Sequence, residues 1–125
     1  MVEKFKRILD EMRLANKEIS LFAILKMDEI SDRWSVIFSA PNLSNQVNQQ
    51  QMFEYLVNLI LKTLNEDEVK TIARVGVLPL ENHLVESLLK YPTNFEIKES
   101  TPVNGNLVHQ GYILAAKTDA PTTSL

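Results

Sequence analysis

The chain has 125 residues, 45% of them hydrophobic and 23% charged, enough to bury a core without staples and far from the composition of a disordered chain. It contains no cysteine, which excludes disulfides, thiolate nucleophiles and cysteine-based metal sites and fits a reducing compartment, so the cytoplasm is the expected location. The formal net charge is −3 and the 13 Lys and Arg are scattered, which argues against nucleic acid; no apolar run reaches the roughly 20 residues of a membrane span, and no export signal opens the chain.

The first predicted element is a helix. Val2, Phe5, Ile8, Leu9, Met12 and Ala15 recur at spacings of three and four, with Glu3, Lys6, Arg7, Asp10 and Arg13 on the other face. Asn16 closes it, because asparagine tolerates the left-handed conformation of helix ends. Residues 19–27, ISLFAILKM, are apolar on both parities, the pattern of a central strand covered on both sides. DEISD at 28–32 turns the chain, and RWSVIFSAP at 33–41 returns as an antiparallel partner that Pro41 ends. Trp34, at the start of that strand, is expected in the core.

Phe53, Leu56, Val57, Ile60, Leu61 and Leu64 then form a helical stripe, widened by Met52, Tyr55 and Leu59. Each large side chain buried there contributes about 1.5–3 kcal/mol before conformational entropy is subtracted. Asn65 and Glu68 have the spacing of a capping box for a short helix. TIARVGVLP at 71–79 reads as a third strand stopped by Pro79, and Leu84, Val85, Leu88 and Leu89 supply another helix before Pro92. Asn104-Gly105 is a hairpin turn between two last strands, and Pro102 suits an edge, which places 95–103 on the outside of the sheet.

The order α-β-β-α-(α)-β-α-β-β predicts an α+β fold, a five-stranded mixed or antiparallel sheet with helices packed on it. One globular domain is expected over 1–118, followed by a flexible tail over 119–125.

The chemistry is sparse. Residues 39–51, between a strand and a helix, contain no glycine, so neither a phosphate loop nor a dinucleotide fingerprint is present. His83 and His109 belong to no metal-ligand spacing. His83 beside Glu86 reads as a solvated helix face. The acidic groups Asp28, Glu29, Asp32 and Glu66, Asp67, Glu68 lack a calcium-loop pattern, and the second is accounted for by the helix dipole. No metal and no cofactor are expected.

Two features remain. Six of the seven residues at 45–51 are amides. Asn42, Ser44 or Asn45 suffices to cap the helix, so Asn42, Asn45, Gln46 and Gln49 stand as candidate binding residues through paired donors and acceptors. Pairing outward from Asn104-Gly105 also sets Ser100 opposite His109, a contact that suggests an activated hydroxyl, with Glu96, four residues back along the first strand, the one acid on the same face.

The leading expectation is a non-enzymatic binding or protein-interaction domain that forms homo-oligomers or takes a protein partner through a sheet edge or a helix face. The alternative is a small-molecule or hydrolase-like site between the 39–51 loop and the 95–117 hairpin, using Ser100 and His109. Nucleic-acid binding requires Lys4, Arg7, Arg13 and Lys17 to converge on one face.

Overall fold

The computed structural model describes residues 1–27 and 33–117. The turn expected at 28–32, with its three acidic residues, and the tail expected at 119–125 lie outside them.

Helix α1 (Val2–Leu14) buries Phe5, Ile8, Leu9 and Met12, the stripe set by the three-and-four spacing. Asn16 ends it with φ +59°, and the Lys17 amide donates back to the Met12 carbonyl. Strand β1 (Leu21–Met27) is buried on both parities. Phe22 and Ile24 pack with α1, while Leu21, Ala23, Leu25 and Met27 enter a second core on the other face. Strand β2 (Trp34–Ser39) pairs with β1 antiparallel, Leu21 opposite Ser39 and Lys26 opposite Trp34. Trp34 is buried, and the Lys26 ammonium lies 4.8 Å from its ring centre.

Helix α2 (Gln46–Thr63) covers the same face as α1. Asn65 and Glu68 form the capping box of the short helix α3 (Glu66–Val69). Strand β3 (Ile72–Leu78) then lies parallel to β2, which makes the sheet mixed. Helix α4 (His83–Leu88), capped by Asn82, sends Val85 and Leu88 into the second core on the opposite face. The chain ends in β4 (Phe95–Ile97), β5 (Thr101–Val103) and β6 (Asn106–Ala116).

The sheet order is β3-β2-β1-β6-β4, with β5 also on β6. It has six strands, not the five expected, because the strand read across 95–103 is cut in two. Ile97 faces Gly111 and Thr101 faces Val108. Lys98, Glu99 and Ser100 therefore oppose only His109 and Gln110, and one residue cannot enter the ladder. Pro102 sits in the outer half, where a missing amide donor costs the sheet nothing.

The α2 stripe departs from expectation too. Leu56, Leu59, Ile60 and Leu64 are buried, but Phe53 is 37% and Leu61 56% exposed, with Val57 half-buried. The sheet ends at β3, so nothing in the described residues underlies the outer flank of the stripe. The apolar face is wider than the surface it has to cover.

Candidate functional site

The amide-rich entrance to α2 is built by its own side chains. Asn42 takes φ +70°, the left-handed turn after Pro41. The Asn45 carbonyl oxygen Oδ1 accepts from the Val47 and Asn48 amides at 2.7 and 3.3 Å, capping the helix. Asn48 Nδ2 donates to the Asn42 carbonyl at 2.9 Å, and Gln49 Nε2 to the Leu43 carbonyl at 2.5 Å. Gln50 Nε2 donates to Glu54 at 2.8 Å. Asn45, Asn48 and Gln49, three of the six amides, thus close the loop onto the helix, and Gln46 faces solvent at the first helical position. A shallow cleft of about 280 Å³ opens beside this loop, with Phe38 and Met52 among its apolar lining and Lys17, Asn42, Asn48 and Tyr55 among its polar lining. Lys17 Nζ lies 4.7 Å from the Tyr55 ring centre.

The second candidate pair also meets. Ser100 Oγ is 3.0 Å from His109 Nδ1. Both side chains are exposed, at the place where β4 breaks from β5 and where the register of β6 against β1 slips between Gln110 and Val108. The contact spans two irregularities of the ladder, which is a structural use for it. Activating a serine needs a sheltered base and donors for the developing oxyanion. Glu96 lies opposite Tyr112 and lines a different cleft with Glu3 and Lys6.

The two candidate groups do not share a pocket. The 39–51 loop leaves the sheet at the end where Leu21 meets Ser39 and Ala116, whereas His109 lies where Met27 meets Val108. Six residues of strand separate those ends, about 20 Å. His83 stays on the surface, with Nδ1 3.5 Å from Glu86.

A third surface is absent from the candidates taken from sequence. β3 pairs with β2 on one side and, among the described residues, with nothing on the other. It carries a single charged residue, Arg74, whose Nε donates to buried Ser35 at 3.1 Å on the α4 face. Beside this edge runs the exposed flank of α2, Phe53, Val57 and Leu61 at steps of four. Between them is a groove of about 220 Å³ lined by Val57, Ile60, Leu61, Ile72, Ala73 and Val75. The sequence signal for it was the surplus width of the α2 stripe, which periodicity alone assigns to the core.

No family model, curated protein or solved structure matches the chain. Among the described residues no group of three acidic or histidine side chains is placed to hold a metal ion, and no helix is long and apolar enough to cross a membrane.

Proposed function

We propose that this chain is a non-enzymatic protein-interaction domain, acting in the cytoplasm, that self-associates through the β3 edge and the adjoining flank of α2. The observation that carries this reading is the coincidence of two unmet demands at one place. An edge strand offers a row of main-chain donors and acceptors, and monomeric proteins usually blunt such an edge with charges, proline, bulges or short length. The outer edge at β4 and β5 is blunted in this way, by its break and by Pro102. β3 is seven residues long and has no proline; its bulge at Ala73 and its one charge, Arg74, lie in its first half, and exposed leucine and phenylalanine flank it. Scattered exposed apolar residues need no explanation, but a stripe of them against an unpaired strand does.

Native mass spectrometry of the recombinant protein, set against its denatured mass, tests the reading. A defined oligomer without excess mass is expected. A chain that stays monomeric at high concentration overturns it.

A further inference from the structure

We infer that the occupant of this surface is a second copy of the chain, with the two β3 strands pairing antiparallel across a two-fold axis beside Val75 so that the two sheets continue as one. The inference rests on the self-association proposed above and adds the partner's geometry.

Three features of the surface suit its own copy. The first is charge on α2. Glu54, Asn58 and Lys62 follow one another at steps of four, next to the apolar flank of Phe53, Val57 and Leu61. A two-fold axis normal to the sheet keeps both α2 helices on the same face and runs them antiparallel. With the axis level with Asn58, Glu54 of each copy faces the partner's Lys62, so both ion pairs form together. Val57, one residue from Asn58, and Val75 line the same groove, so an axis through that groove passes both the helix and the strand.

The second feature is on the strand. Pairing centred on Val75 sets Arg74 opposite the partner's Gly76, so the two guanidinium groups do not meet. Gly76 has no side chain to compete for that space. Val75 and Val77 pack on the α2 face, while Arg74 and Ser35 are on the α4 face. Directly opposed residues of an antiparallel pair share a face, so Val75 meets the partner's Val75 beneath the α2 flanks.

The third is area. A stable interface buries roughly 800 Å² per partner. One paired strand falls short of that, so the pairing also requires the α2 flank beside it. A lone foreign strand would satisfy the β3 edge and leave Phe53 and Leu61 in water.

The absence of native cysteine makes a cross-linking test direct. Opposed Cα atoms in an antiparallel pair are about 4.5–5.5 Å apart, within the span of a disulfide. Val75→Cys is expected to oxidise to a covalent dimer in high yield. Ala73→Cys, four positions from its own symmetry mate in this register, is expected to stay unlinked. Charge exchange at exposed positions gives an independent readout that does not strain the core. Lys62→Glu should weaken the oligomer several-fold, and adding Glu54→Lys in the same chain should restore it.

A protein that is oligomeric by native mass spectrometry but fails to cross-link at Val75→Cys, or is not rescued by the charge exchange, overturns this pairing and leaves self-association standing. A monomer in every condition overturns both.

Discussion

Single side chains explain most of the polar residues that drew attention in the sequence. Asn45 satisfies two amides at the start of α2. Asn45→Ala should cost about 1 kcal/mol, read as a fall of about 4 °C in Tm. The ionisation of Glu68 is displaced by its partners. The Lys4 ammonium, 2.5 Å away, and then the Asn65 amide hold its carboxyl below the usual value of 4.5, against a smaller opposing effect of desolvation. A carboxyl lowered in the folded state adds stability above its unfolded pKa and loses that contribution as pH falls through the folded value. Glu68→Gln should therefore reduce stability near neutral pH and show a shallower loss than the parent below about pH 4.5 in denaturant titrations at stepped pH. Equal slopes for the two proteins in acid would show that the contact between α1 and α3 is not coupled to folding.

Among the elements, strand parity was the informative signal. Apolar residues on both parities of β1 predicted a central strand, and β1 lies between β2 and β6 with a core on each face. The hairpin turn fixed its own neighbours in the same way, Val103 opposite Asn106 and Thr101 opposite Val108. The break after Ile97 was not legible, because a bulge depends on how a strand meets its partner, and Lys98-Glu99-Ser100 carries no glycine, proline or asparagine to mark it. Gly111 shows the same dependence. A Cβ there would sit 2.7 Å from Leu25 Cδ2, and the Leu25 side chain is fully buried. Gly111→Ala should destabilise the fold by about 1–3 kcal/mol through overpacking, while Gly76→Ala, where the contacts are ordinary, should stay within about 1 kcal/mol. Chemical denaturation of the two variants compares them directly.

At the scale of the whole molecule, the sheet has two unlike edges. The β4–β5 edge is broken into two three-residue strands, whereas the β3 edge is seven residues long, bulged once at Ala73, and flanked by apolar residues. If association uses the latter, Leu61→Glu should leave the fold intact, since this side chain is 56% exposed, yet raise the dissociation constant of the oligomer tenfold or more. Unchanged mass distributions for the parent and Leu61→Glu at equal concentration would exclude the α2 flank from the interface. The candidate residues at 42–49 and at 100 and 109 stand at opposite ends of the strands, so no single substitution reports on both.

The sequence by itself determined the helices α1 and α2, the two-sided burial of β1, the capping box at Asn65 and the turn at Asn104-Gly105. Each depends on spacing or on one residue's backbone preference, and both are local. Only the tertiary structure decided that β3 runs parallel to β2 at an open edge, that Ser100 meets His109 far from the amide loop, and that the rest of the described chain leaves Phe53 and Leu61 uncovered. Periodicity marks which side of a helix is apolar. How much of that side is covered depends on where the sheet beneath it ends, and strand order, which fixes that end, comes from contacts between distant segments.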